Sequence, residues 1–344
     1  MAYTTINKST DYFNTKLYTG NASSRTISGI GFQPDFTWTK NRGNDDNNYL
    51  FDAVRGTTKY LISDSTAVEG TTSGITGWNA DGYTLGSSPG LNANGVTAVS
   101  WNWKAGTTGS GTTTGSGTGK AYSYSVNTTA GFSIIKFIGN GTAGHTIPHH
   151  LGAKADFVII KGLASGRKWS VGSSGLGWTK ELFLDATNAQ NTSASPWYDT
   201  APSSTVVTLG TGSNGNTNDE TYIMYAFSTK TGYSKFGSYT GNASTDGVFI
   251  YTGFKPAFFL FKRYDATKDW HIIDAKRDVD NPTQKILYPN LYDAEATPTA
   301  VDFLSNGIKI RNGGSFINEV NGTYIYMAFG QSLVGSNNVP CTAR

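Results

Sequence analysis

One cysteine, Cys341, stands in the 344 residues, so no disulfide can form within the chain. Glutamate is nearly missing, with Glu69, Glu181, Glu220, Glu295 and Glu319 the only five. Charged residues make up 15 %, where roughly 25 % is usual, and the net charge of +3 carries no basic run. The electrostatic footprint of a nucleic-acid binder is therefore absent. No apolar run approaches the ~18 residues of a membrane helix. The opening MAYTTINKSTDYFNTK has no apolar signal core, which predicts a chain made in a cytoplasm and not membrane-inserted. Helical periodicity of useful length is missing too; the nearest candidate, residues 293–297, is too short.

In place of charge there are 42 Gly, 19 Tyr, 18 Phe and 8 Trp. Aromatic residues suit a pleated, half-buried surface, and Gly and Asn supply turns, so the composition predicts an all-β chain. Three stretches carry a common pattern. Residues 239–263 read YTGNASTDGVFIYTGFKPAFFLFKR, residues 18–42 read YTGNASSRTISGIGFQPDFTWTKNR, and residues 137–161 read FIGNGTAGHTIPHHLGAKADFVIIK. Each runs from an aromatic-x-Gly-Asn turn to a strand that ends in lysine. The closing segments align as Trp101-Asn-Trp103, Tyr225-Ala-Phe227 and Met327-Ala-Phe329, and Pro34 and Pro256 mark equivalent corners. Period and turn spacing predict three tandem antiparallel β-sandwiches. The expected division is an anchoring arm at 1–16 (Tyr3, Tyr12, Phe13), repeat one at 17–104, and a flexible Gly/Ser/Thr linker at 105–120. Repeat two follows at 121–229, repeat three at 230–333, and a polar tail at 334–344. In the closing strand of repeat one, Val99, Trp101 and Trp103 should face the core, with Ser100 and Asn102 outward.

No catalytic constellation is visible. A β-sandwich glycosidase needs paired carboxylates, and no Glu here has an Asp two residues on. The acid pairs Asp278/Asp280 and Asp293/Glu295 fall in loops. The segment before Lys120 lacks the glycine and hydroxyl of a phosphate loop, and no G-x-S-x-G elbow occurs. His145, His149 and His150 cluster without a cysteine or spaced carboxylate to complete a zinc set. Residues 44–48 and 214–219 are oxygen-rich loops of a kind calcium favours, without the EF-hand spacing, so no cofactor is expected. Trp78, Trp178, Trp197 and Tyr198 fall outside the predicted core strands; they are the candidate contacts for a glycan or partner, with Trp197 expected at a surface.

The segments TKLYTGN (15–21), GFQPDFTWTKNR (31–42), LFDAVRGTTKYL (50–61), NADGYTLG (79–86) and SWNWKAG (100–106) carry a resemblance, as do GYSKFGSYTGN, GFKPAFFLFKR, DFLSNGIKIR and TYIYMAFGQS further on. Together they resemble the repeat domain of marine bacteriophage structural proteins. Repeat two departs most, with His149-His150-Leu151-Gly152 at the Gly-Phe-x-Pro corner and no copy of the Arg-Gly segment. The resemblance implies concanavalin A-like, lectin-type (jelly-roll-like) sandwiches without a catalytic motif. It implies a non-enzymatic virion protein, exposed on the extracellular particle. A tail-fibre or spike-type component would bind host surface carbohydrate and be a homotrimer. A capsid decoration (cement) or tail accessory protein would contact other virion proteins only.

Overall fold

The alternation Ala-Val-Ser-Trp-Asn-Trp in Thr97–Trp103 puts Val99, Trp101 and Trp103 on one face of a strand. In the computed structural model, which describes residues 4–332, this strand lies inside a six-stranded sheet, hydrogen-bonded to Phe13–Thr19 on one side and Phe36–Asn41 on the other. The chain is all-β: every strand pairing among the described residues is antiparallel, and the helical elements are single turns. Residues 1–3 and 333–344, and with them Tyr3, Cys341 and the tail at 334–344, lie outside the described residues.

The same strand order recurs along the chain. Phe132–Ile138, Thr221–Phe227 and Phe157–Gly162 are neighbours in an eight-stranded sheet, and Ser234–Thr240, Thr323–Gly330 and Pro256–Arg263 in a four-stranded one. In register, Phe36 faces Trp103, Phe157 faces Phe227, and Phe258 faces Phe329. Each large sheet is accompanied by a three-stranded sheet, centred on Gly82–Leu85, His145–Pro148 or Gly307–Ile310.

One face of all three large sheets converges on a single aromatic core. Trp103, Phe227 and Phe329 form a triangle with ring centroids 6.4, 6.0 and 5.7 Å apart, and the three closing strands meet there. Phe13, Phe132 and Phe236 pack around it, each against the triangle residue of its own sheet. Three smaller cores lie between each large sheet and its three-stranded companion, around Tyr83 and Phe51, around Val158 and Met224, and around Phe259 and Phe303. The closing strand is thus covered on both faces. Ser100 and Asn102, expected outward, are fully buried, with Ser100 Oγ 3.0 Å from the Tyr83 hydroxyl and Asn102 Oδ1 accepting from Thr37 Oγ1 at 2.9 Å.

Two further expectations are corrected. The segment 105–120 is not a loose linker: Thr107–Thr112 pairs with Ala121–Asn127 and extends the eight-stranded sheet, and Thr114–Gly115 adds to the edge of His145–Pro148. Its small residues serve as ground for large neighbours, since a side chain at Gly109 or Gly111 would strike the rings of Tyr124 and Tyr122. The arm at 1–16 is not a free anchor over its described part. Phe13 is buried in the central core, and Tyr12 packs edge-on against Tyr233 at 6.2 Å. Ser9 donates to the Gln331 carbonyl at 3.0 Å, so the two ends of the described chain meet.

Candidate functional site

Recurring contacts are the frame against which a site can be recognised. The aromatic-x-Gly-Asn turn is held by a buried asparagine that the repeat pattern did not flag. Asn92 Oδ1 accepts from the Asn21 amide at 2.9 Å, Asn216 Oδ1 from the Asn140 amide at 3.0 Å, and Asn318 Oδ1 from the Asn242 amide at 3.0 Å. The turn glycine is obligatory: a methyl group at Gly20, Gly139 or Gly241 would lie 2.0 to 2.3 Å from the carbonyl oxygen one residue past that asparagine.

The lysine that ends each core strand is buried and reaches into a neighbouring stretch. Lys40 Nζ donates to the Tyr292 carbonyl at 2.6 Å, Lys161 Nζ to the Thr66 carbonyl at 2.8 Å, and Lys262 Nζ to the Thr187 carbonyl at 3.0 Å. Burial pulls each ammonium down to about 8, against nearby carboxylates that hold the charge on. Asn48, Trp169 and Trp270 follow the same direction, donating to the carbonyls of Leu291, Ile62 and Phe183 at 2.9, 2.9 and 2.8 Å. The amides of Glu69, Gln190 and Glu295 return a bond across the same junctions, donating to the carbonyls of Leu163, Tyr264 and Arg42 at 2.9, 2.7 and 2.9 Å. First grips third, second grips first, and third grips second: the contacts form a ring.

The threefold pattern breaks beside these ties. The residues that follow Asn48, Trp169 and Trp270 are Tyr49, Ser170 and His271, and those that precede the paired Leu61, Leu182 and Leu287 are Tyr60, Glu181 and Ile286. In the first stretch Tyr49 and Tyr60 fill the position edge to face, centroids 5.4 Å apart. In the third, a cleft of about 320 Å³ is floored by His271, which stacks on Phe261 at 4.9 Å and touches Tyr288 and Phe316. Burial pushes this imidazole down to about 3, and its Nδ1 has no partner.

The middle stretch holds small polar groups there, and a cleft of about 430 Å³ opens among Ser170, Glu181, Asn191, Ser193, Ser195 and Asn214. That volume lies in the range of small-molecule sites. Glu181 is 6 % exposed; its Oε1 accepts from Ser170 Oγ at 2.5 Å, and burial raises its carboxyl above the usual range. One wall is the turn Ala194–Trp197, where Ser193 Oγ accepts from the Ser195 amide at 3.1 Å; the other is the loop at 211–215, tied to that turn by the Gly212 amide on the Ser195 carbonyl at 2.8 Å. Asn214 Oδ1 accepts from the Lys168 amide at 3.2 Å, and Lys168 Nζ sits 4.4 Å over the ring of Phe183, which also lines the cleft.

The sequence candidates scatter. Trp197, expected at a surface, is completely buried behind this cleft, edge-on to Trp178 at 5.5 Å. Its position in the turn carries the ring into the core between the sheets, while Tyr198, in a left-handed conformation, turns outward and is 49 % exposed. Trp178 is half-buried against the same core, and Trp78 is half-buried in the first stretch, remote in sequence and on another sheet. Pro196, next to Trp197, lines the polar cleft, but none of Trp78, Trp178, Trp197 and Tyr198 does. The histidines do not converge: His145 bonds Asn216 and Thr113, His149 faces the Ser203 carbonyl, and His150 stacks on Tyr124 at 3.8 Å. Among the described residues no group of three or more His, Cys, Asp or Glu could hold a metal ion. In the loop at 214–219, Asn216 spends its amide on the Thr142 and Gly210 carbonyls at 3.0 and 2.7 Å.

The family described as Domain of unknown function (DUF7483) matches residues 8–332. The chain belongs to that family. The match begins just before the first large sheet and ends at the closing strand of the third, so the DUF7483 unit is the whole closed ring rather than one stretch of it. No curated protein and no solved structure matches the chain.

Proposed function

We propose that this DUF7483 chain is a non-enzymatic structural protein of a bacteriophage virion, built as three tandem concanavalin A-like β-sandwich repeats. In this reading it is a tail-fibre or spike-type component that binds host surface glycan through the rim of the middle repeat. The observation that carries it is the polar cleft around Glu181, where Ser170 and Glu181 stand at the positions that hold Tyr49 and Tyr60 in the first stretch and His271 and Ile286 in the third. Asparagine, serine and a carboxyl at hydrogen-bonding spacing suit hydroxyl-rich ligands, and the resemblance of the repeats to phage proteins supplies the setting. A shared aromatic core and a ring of buried polar ties suit a part that must survive outside a cell.

A capsid decoration role is the second reading. It is favoured by the closure of the three stretches on their own axis without a shaft-forming segment among the described residues. Cryo-EM of the intact particle with this chain located in it, together with glycan-array binding of the purified protein, separates the two. Tail density with glycan binding is the expected result. Head-shell density without sugar binding would overturn the receptor-binding reading in favour of decoration.

A further inference from the structure

The cleft of the middle stretch has a chemical character of its own. Glu181 Oε1 is taken by Ser170, and Oε2 has no partner among the described residues. Asn214 is fixed through its Oδ1, so its Nδ2 is a donor held in place on the opposite wall. Asn191 pairs with Glu181 through the backbone, which brings its amide to the same rim. A preset acceptor facing preset donors is what a vicinal diol or an acetamido group bonds best, since each hydroxyl gives one hydrogen and accepts another. Lys168 is held over the ring of Phe183 and its charge reaches Glu181 from there, but no lysine or arginine lines the cleft itself, so a ligand carboxylate would meet Glu181 Oε2 with no cationic side chain among the walls.

We propose that this cleft binds one neutral hexose or N-acetylhexosamine unit, with Glu181 as acceptor and Asn214 as donor, and discriminates against saccharides that carry a carboxylate. The assignment rests on the glycan-binding reading and narrows it to one site and one ligand class. The wall at Ser195 is exposed and outside every core cluster, so a bulky residue there closes the cleft without disturbing the fold.

The test is saturation-transfer NMR and titration calorimetry on the full chain with maltotriose, cellobiose and chitobiose as neutral probes, and digalacturonate and sialyllactose as anionic ones. At least one neutral probe is expected to bind. Ser195→Trp should weaken it tenfold or more at unchanged melting temperature, and Glu181→Gln should weaken it three- to tenfold. Tighter binding of the anionic probes overturns the proposal. Neutral binding that survives Ser195→Trp unchanged also overturns it, while leaving a glycan-binding protein with its site elsewhere. Absence of binding to every probe, with no binding on a wider array, removes the site and the reading beneath it together. Should Glu181→Gln fail to fold, Ser195→Trp still decides the matter.

Discussion

The corner that follows the second core-sheet strand is built in two ways. In the first stretch Arg55 Nε bonds Asp52 Oδ2 at 2.5 Å, both side chains fully buried, and Arg55 Nη1 reaches Glu69 at 3.3 Å. In the third, Arg277 repeats this with Asp274 at 2.5 Å and Glu295 at 2.9 Å. In the middle the same positions hold Ser173, Leu176 and Gln190. The difference follows the neighbour across the ring. Asp52 accepts from the Tyr225 hydroxyl at 2.8 Å and Asp274 from Trp101 Nε1 at 3.0 Å, whereas the third equivalent of Tyr225 and Trp101 is Met327, which has no hydrogen to give. Met327 and Leu176 instead share the central apolar core. A buried polar network is worth keeping only when every member is satisfied; take away the donor and an apolar corner is the better solution. Each junction is therefore a matched set, polar where a donor faces it and apolar in the middle stretch where Met327 does.

The largest way to break this comparison is to ask whether the stretches can fail separately. Phe259 is fully buried between the sheets of the third. Because all three share one core, Phe259→Asp should abolish the single cooperative transition of the whole chain in calorimetry, and loss of only a third of the enthalpy would refute a common core. Next, Arg55→Leu leaves Asp52 buried without its counter-charge and should cost about 3–5 kcal/mol in chemical denaturation. Adding Asp52→Ser and Tyr225→Met, which copies the middle corner and its partner, should recover most of that; a triple variant no better than the single would show that the sets are not matched. Trp197→Ala should cost about 3–5 kcal/mol, as for any large ring removed from a core. A cost near zero would return Trp197 to the surface.

A smaller effect is tied to pH. The His271 pKa is lowered in the folded state, from 6.5 to about 3, so the unfolded chain binds the extra proton first and stability falls as pH drops from 6.5 toward 3. His271→Phe, which gives the third stretch a plug like that of the first, should remove this component and gain roughly 2–3 kcal/mol relative to wild type at pH 4. Equal slopes of stability against pH for the two proteins would contradict it. Smallest of all, Gln190 Oε1 is buried without a partner where Glu69 and Glu295 meet arginines. Gln190→Leu should change stability by less than about 1 kcal/mol, in the favourable direction.

Much of the fold was legible because strands in this chain announce themselves. Phe36–Trp38, the Asn79–Gly82 turn and the closing segments stand where alternation and turn residues put them. The all-β class, the turn-to-lysine motif and the equivalence of Trp103, Phe227 and Phe329 could all be read in advance. What could not be read was which face of a strand has a second sheet over it. Ser100 and Asn102 look like outward residues because they are polar, and they are buried because Tyr83 and Thr37 offer them partners. The segment 105–120 looks disordered by composition because its contribution is backbone pairing, which leaves no side-chain signature. The polar cleft was invisible for a related reason: serine and asparagine in loops are ordinary until register shows that tyrosines and a histidine stand at the same place elsewhere. Glu181 could have been noticed as one of only five glutamates, inside a strand, yet without a paired acid nothing marked it out.

The meeting of Ser9 with Gln331 makes the described part of the chain, residues 4–332, close on itself as a loop. The contacts that bind third to first, such as the Glu295 amide on the Arg42 carbonyl at 2.9 Å, follow the same geometry as those between stretches joined by peptide bonds. The order in which the chain visits its three parts is then close to arbitrary. A circular permutant opened in the turn between Thr229 and Ser234, with residues 4 and 332 joined by a glycine bridge, should find the same native state along a different route. Comparing its refolding rate with that of the parent would separate what connectivity contributes from what the ring contributes.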